Sequence, residues 1–245
     1  MRHLLIFLLL CPSLCWAEAS RNFDGTDDVV SNSSVANSDE ATRSVSFWFK
    51  TSTLAGTTVA VIVTDGSDLT AGNSAFNVAI LNEFDALRIG YRWSTTAGNW
   101  KTPNSSIAID TWYHVFASYD RGSTTNDPVC YLNGVLQTLT ETATPVGTAK
   151  TGVAVFRAGA NVALAEDYTG LVAFIDYFNT IVPTGFITQL MYVPHSISDG
   201  LVLAWAFWGD SPEPDFSGGG ETGTVSGATT STDGPPIMVG GYMPL

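Results

Sequence analysis

Cysteine, lysine and histidine are scarce in this chain of 245 residues, with three of each. Cys11 and Cys15 lie in an apolar N-terminal stretch, so once that stretch is removed Cys130 has no partner and no intrachain disulfide can form. Cys130 stands in Val129-Cys130-Tyr131-Leu132, the setting of a small buried side chain rather than a reactive thiol. The lysines, Lys50, Lys101 and Lys150, are too few to coat exposed helices. No basic run exists, and a formal charge of −13 repels phosphate backbones and anionic lipid, which argues against nucleic acid and the membrane surface as partners. Charged residues make up only 13% of the chain, about half the usual share, so disorder driven by charge is excluded as well.

Signatures of catalysis are also missing. There is no Gly-x-Ser-x-Gly and no glycine-rich loop ending in Lys-Ser or Lys-Thr, which removes the anchors for a serine hydrolase or a phosphate cradle. His114 and His195 have no second His or Cys at zinc-ligand spacing, and His114 within a strand reads as a packed or hydrogen-bonded residue rather than a catalytic one.

What is present begins with a leader. Met1-Arg2-His3 is a short positive start, Leu4 to Cys15 is apolar but too short to cross a bilayer, and Ala17-Glu18-Ala19 has the small-x-small form of a cleavage site. Residues 1–19 therefore read as a secretory signal, with the mature chain beginning at Ser20. No membrane insertion is expected after its cleavage, and the destination is extracellular.

The sequence is rich in Thr (29) and Ser (22), which favours strands and turns. Arg43 to Lys50 alternates strictly, with Val45, Phe47 and Phe49 on one side and Ser44, Ser46, Trp48 and Lys50 on the other. Thr57 to Val63, Phe76 to Leu81 and Leu87 to Arg92 follow at short intervals; in the last, Leu87, Ile89 and Tyr91 oppose Arg88, Gly90 and Arg92. Trp112 to Tyr119 is a further strand. Asn133-Gly134, between Val129–Leu132 and Val135–Leu139, supplies the positive φ angles of a two-residue hairpin. Val153 to Arg157, Gly170 to Phe178 and Leu201 to Phe207 complete about ten strands. Only Pro183 to Tyr192 reads as helical, with Phe186, Ile187, Leu190 and Met191 on one stripe. The predicted fold is all-β, a two-sheet antiparallel sandwich with one short helix. The sandwich is assigned to 20–208. Residues 209–245, rich in Gly, Ser, Thr and Pro, are assigned as an extension, and two readings of it stay open: a linker or tail, or an ordered excursion returning through Thr222 to Ser226 as an edge strand.

The order of motifs resembles the laminin-G-like and pentraxin-like branch of the concanavalin A-like lectin/glucanase superfamily. Phe23-Asp24-Gly25-Thr26-Asp27-Asp28-Val29-Val30 is similar to that family's opening strand, and Val45 to Lys50 to its second. Trp112 to Ala117 and Tyr131-Leu132-Asn133-Gly134 are similar to the W-x-H-V-A strand and the Y-x-N-G hairpin, and Gly170 to Tyr192 to the closing strand and helix. The segment Gly200 to Phe207, with Asp215-Phe216-Ser217-Gly218 and Gly223-Thr224-Val225, usually comes first in such chains; here it comes last. Termini that lie close together permit that permutation, which would make residues 200–226 part of the fold. The same arrangement occurs in chains that resemble phage and virus surface proteins.

The resemblance implies a jelly-roll sandwich and a recognition role. The hydrolases of the superfamily carry Glu-x-Asp-x-x-Glu, which serves the paired-carboxylate chemistry of glycoside hydrolysis; no such triplet occurs here, so the chain is expected not to be an enzyme. The expected partner is a glycan or a protein surface, the alternative being a structural or decoration protein of a virion or cell surface. Tyr91, Arg92, Trp93, Asn99, Trp100 and Lys101 are the candidate ligand-binding residues, because a flat ring beside amide and cationic donors suits the mixed apolar and hydroxyl faces of a sugar. The competing reading packs both tryptophans in the sandwich. Calcium is the expected cofactor, with Asp24, Asp27, Asp28, Asp65 and Asp68 as oxygen ligands; solvated turn aspartates are the alternative.

Overall fold

The computed structural model describes residues 20–33, 35–36, 40–55, 59–66, 76–151, 155–161, 166–209 and 211–237. The signal assigned to 1–19 lies outside the described residues, as does Asp68.

In chain order the strands are β1 (Ser20–Asp24), β2 (Val29–Asn32), β3 (Thr42–Thr51), β4 (Val59–Asp65), β5 (Phe76–Leu81) and β6 (Ala86–Tyr91). They continue as β7 (Gly98–Lys101), β8 (Tyr113–Asp120), β9 (Val129–Leu132), β10 (Val135–Leu136) and β11 (Thr140–Ala143). The last are β12 (Phe156–Ala158), β13 (Thr169–Phe178), β14 (Leu201–Trp205), β15 (Thr224–Ser226) and β16 (Thr229–Ser231). One α-helix, α1 (Ile187–Tyr192), is entered through a 3-10 turn at Thr184–Phe186. The strands form two antiparallel sheets of eight. The first runs β10-β9-β8-β3-β13-β1-β16, with β14 also on β13; the second runs β11-β7-β6-β5-β4-β12-β2-β15. The described residues thus form an all-β sandwich with one short helix.

Period-two alternation decides which side chains meet between the sheets. Val45, Phe47 and Phe49 of β3 and Val115, Ala117 and Tyr119 of β8 face Val78 and Ile80 of β5, Leu87, Ile89 and Tyr91 of β6 and Trp100 of β7 in one buried cluster. On the outer side of the first sheet Trp48, Phe116, Ala173, Phe174 and Phe178 are covered by Ile187, Leu190 and Met191 of α1 and its approach. The Trp48 indole donates to the Met191 carbonyl at 3.0 Å and ties the helix down.

The C-terminal segment takes the second of the two readings left open for it, an ordered return onto the sandwich. β3 pairs with β13 along its length, from Gly170 opposite Thr51 to Phe178 opposite Ser44. On the other side of β13, β1 and β14 lie end to end: Arg21 is opposite Val172, and Trp205 is opposite Ile175. The chain then returns to add β15 to β2 and β16 to β1, so the Gly- and Ser-rich segment is ordered and closes both sheets. Leu203, Trp205 and Phe207 are fully buried in the main core, whereas Leu201 packs with Phe116 and Phe178 near the helix, not with them. Asn133 and Gly134 have φ of 50° and 74°, as the hairpin requires. Strands β7 and β11 were not foreseen, since their residues read as loop.

Two ion pairs are buried in this frame. Arg43 of β3 and Asp65 of β4 join the two sheets, both side chains wholly enclosed. The Tyr177 hydroxyl donates to the same Asp65 oxygen, the Phe76 amide donates to the other at 2.6 Å, and the guanidinium stands 5.1 Å over the Tyr91 ring. Arg21 of β1 pairs with Glu213 at 2.6 Å, which ties the first strand to the C-terminal segment.

A buried histidine makes the fold sensitive to acid. His114, on the helix-covered side of the first sheet, is 0% exposed; its Nε2 meets Ser46 Oγ at 2.8 Å and its Nδ1 has no partner. Burial pushes the imidazole down from 6.5 to about 3. Between those values the unfolded chain binds a proton that the folded chain does not, so stability falls as pH drops through that window, by up to about 1.4 kcal/mol per unit from this group. Urea melts of the wild type and His114→Gln between pH 7 and pH 4 should show a shallower decline in the variant; parallel declines would remove His114 as a cause.

Candidate functional site

The three rings proposed as a stacking platform all point into the core. Tyr91, Trp93 and Trp100 are 0%, 3% and 2% exposed. Trp100 lies on β7, whose neighbours β6 and β11 hold it in the sheet, and its indole donates to Asp127 at 2.8 Å. Its ring packs on Tyr119 of the opposite sheet at 5.4 Å. The Trp93 to Trp100 segment reads as a loop because Gly98 and Asn99 break the apolar pattern; edge pairing makes it a strand and turns Trp100 inwards. Trp112, expected to be core, is only partly buried, and its indole donates to Asp233 at 2.9 Å. The large open rings among the described residues are Phe186, Trp208 and Phe216.

The polar half of the same prediction comes together on the outer face of the second sheet. Because Leu87, Ile89 and Tyr91 point inwards, Arg88, Gly90 and Arg92 point out. The register sets Gly90 between Asn77 of β5 and Asn99 of β7, and Arg88 between Ala79 and Lys101. A Cβ on Gly90 would lie 2.9 Å from the Asn77 Oδ1 and 3.0 Å from the Asn99 Oδ1, so glycine is what allows the two amides to converge. Arg88 donates to Asn77 Oδ1 at 3.3 Å, and Lys101 bonds Asn104 while resting 4.6 Å over the Phe84 ring. The Asn99 Oδ1 and the Nε atoms of Arg88 and Arg92 are buried without a hydrogen-bond partner. Toward β4 the face is closed, with Thr64 and Asn77 buried, but Arg88, Arg92, Asn99 and Lys101 keep part of their surface open. The structure therefore unites Arg92, Asn99 and Lys101 and removes Tyr91, Trp93 and Trp100. Asn77, Arg88 and Gly90 were missed, although the alternation of β6 had already put Arg88 and Gly90 on its polar side.

The acidic candidates also divide. Asp65 is committed to Arg43, Tyr177 and the Phe76 amide inside the core, so it has no oxygen to offer a cation. Asp24, Asp27 and Asp28 bring carboxylate oxygens within 4.8 Å of one another, the first two exposed and the third buried. Burial raises the Asp28 carboxyl, and the charges of Asp24 and Asp27 add to this against a bond from the Asp24 amide. Asp167 is raised likewise, by burial and then by Asp27 and Asp24, and its Oδ1 is buried without a partner. Hard oxygens at this spacing fit a calcium ion, which takes six to eight of them at about 2.3–2.6 Å.

The laminin G family model described as the concanavalin A-like lectin/glucanases superfamily matches residues 23–182. The chain belongs to that superfamily. No sequence among curated proteins matches it. Among solved structures it is similar to a provisionally assigned carbohydrate binding protein from Bacteroides ovatus, with 16% identity and a TM-score of 0.65 over 90% of this chain and 61% of that one. This chain thus spans less than two thirds of that structure. A heptameric SAP-like pentraxin from Limulus polyphemus is similar at 12% identity and a TM-score of 0.59, over 88% of this chain and 96% of that one. The CBM40 of a Ruminococcus gnavus IT-sialidase, solved with α2,3 sialyllactose, is similar at 12% identity and a TM-score of 0.50, over 71% and 94%. At these identities the likeness is one of fold. The superfamily member described here keeps its sandwich core tryptophan-rich, and this generates a prediction opposite to that of a stacking platform. Trp100→Ala should cost about 3–5 kcal/mol of stability in a urea melt. An unchanged melt would return Trp100 to the surface.

Proposed function

We propose that the chain is a secreted, non-catalytic recognition domain that binds carbohydrate through the open part of the outer face of the second sheet, over β6 and β7. One observation carries the reading: two amides converge over Gly90, Arg88 donates to one of them, and the Asn99 Oδ1 and the Nε–H groups of Arg88 and Arg92 are left without partners. Sugar hydroxyls donate and accept, so they can satisfy both kinds of group at once. Carbohydrate binding in the names of two structural neighbours supports the reading, as does the want of a paired-carboxylate motif on any strand.

Screening the mature protein on a glycan array and titrating hits by calorimetry tests it. Asn99→Ala and Gly90→Val should each weaken binding tenfold or more, roughly the effect of losing one or two good hydrogen bonds, with melting temperatures near the wild-type value for Asn99→Ala. Loss on Trp208→Ala with Asn99→Ala neutral would move the site to the exposed rings. An array without hits would transfer the reading to a surface-structural protein whose partner is another protein.

We propose further that Asp24, Asp27 and Asp28, with Asp167 beside them, hold calcium and fix the turn between β1 and β2. A free ion at a hundredfold excess over Kd adds about 2.7 kcal/mol of stability. Calcium should therefore raise the melting temperature of the wild type and not of Asp27→Asn; no rise in the wild type refutes the site.

A further inference from the structure

The carbohydrate reading can be taken to a ligand class by asking which charges the protein leaves unmatched. In a chain with 23 acidic residues and only 10 Lys and Arg, a cation has ample choice of carboxylate partners. Three do so: Arg43 pairs with Asp65, Arg21 with Glu213 and Lys50 with Asp233. The cations on the outer face of the second sheet do not. Among the described residues Arg88, Arg92 and Lys101 form no ion pair, and the groups their side chains do bond, Asn77 and Asn104, are neutral.

The placement is unfavourable for the protein alone. Arg88 and Lys101 are directly opposite across β6 and β7, so two cationic side chains rise from one side of the sheet with their Cβ atoms about 5 Å apart. Arg92 follows Arg88 by four residues on the same side, about 13 Å along the strand. Burial lowers the Arg88 pKa, with the charge of Glu166 acting against it, which marks a guanidinium short of solvation. The excess negative charge of the molecule does not cancel this patch, because screening at physiological salt limits its reach to about 8 Å.

We infer that this face, given that it binds carbohydrate, is built for an anionic sugar unit whose carboxylate or sulfate lies between Arg88, Lys101 and Arg92, with the Asn77 and Asn99 amides on its hydroxyls. The anion supplies what the patch lacks, a counter-charge to Arg88, Arg92 and Lys101, each of which keeps part of its side chain open. Neutral glycans would leave these cations uncompensated.

Binding of polygalacturonate, dextran sulfate and neutral dextran by the mature protein, measured at 50 and 300 mM NaCl, tests the inference. At least one polyanion should bind about tenfold or more tightly than dextran and weaken with salt; which of the two binds better separates carboxylate from sulfate. Arg88→Gln and Arg92→Gln should each cost about tenfold, while Lys50→Gln, the same loss of charge on the first sheet, should cost nothing. Should Arg88→Gln fail to fold, Arg92→Gln carries the comparison alone. Equal binding of dextran, or polyanion binding indifferent to both arginines, overturns the anionic ligand. Dextran binding that Asn99→Ala abolishes would still uphold the carbohydrate reading, and hits on no glycan at all would bring down both.

Discussion

The salt bridge between Arg43 of β3 and Asp65 of β4 joins the two sheets with both side chains wholly enclosed, and the sandwich is organised around it. Two charges out of water are costly unless every lone pair and proton finds a partner. Here Asp65 accepts from Arg43, from the Tyr177 hydroxyl and from the Phe76 amide, while Arg43 also donates to the Glu40 carbonyl and covers Tyr91. These partners come from β3, β13, the start of β5 and β6, so the pair is satisfied only when both sheets have their register. A one-residue slip of β4 would turn Asp65 outwards and leave Arg43 uncompensated in the core. Apolar burial drives the sheets together; this network selects which packing counts as folded.

The second constraint acts at the termini. Because β1 and β14 divide one side of β13 between them, neither end of the chain completes the first sheet alone. The Arg21–Glu213 pair and the Trp205 indole, donating to the Glu221 carbonyl at 2.8 Å, pull the C-terminal segment over the core. Asp215 shapes that segment: burial would raise its pKa, but bonds from the Ser217 hydroxyl and amide and from the Glu221 and Ala204 amides outweigh burial and lower it. The segment after β14 thus closes, from the other end of the chain, the sandwich that β1 opens.

How much of this could be read in advance follows from what periodicity measures. Strands whose two faces differ, such as β3, β6 and β8, announce themselves because alternate residues meet different solvents, and Asn133-Gly134 fixes its hairpin by local sterics. The resemblance of Phe23 to Val30 and of Tyr131 to Gly134 placed those strands in order. Residues such as Trp100 and Thr140 to Ala143 defeat local reading, since their conformation is imposed by pairing with β6 and β7 rather than by their own pattern. The site suffered the same error in reverse. Trp100 looked exposed because Asn99 and Lys101 flank it, but in a strand the neighbours of an inward residue are outward by construction. The polar neighbours were the signal and the ring was not.

That inversion has an energetic consequence for recognition. With Tyr91, Trp93 and Trp100 holding the core, the candidate face has no ring to stack against a sugar, so affinity rests on hydrogen bonds and charge. Neutral hydrogen bonds add about 0.5–1.5 kcal/mol net and those to charged groups about 1.5–3 kcal/mol. On the proposed carbohydrate reading the three cations, being the larger contributors, decide which glycan is held in such a seat, and the amides decide how it lies. Adhesion would come from several such seats meeting a repeating polymer, where linkage multiplies weak contacts without any new one.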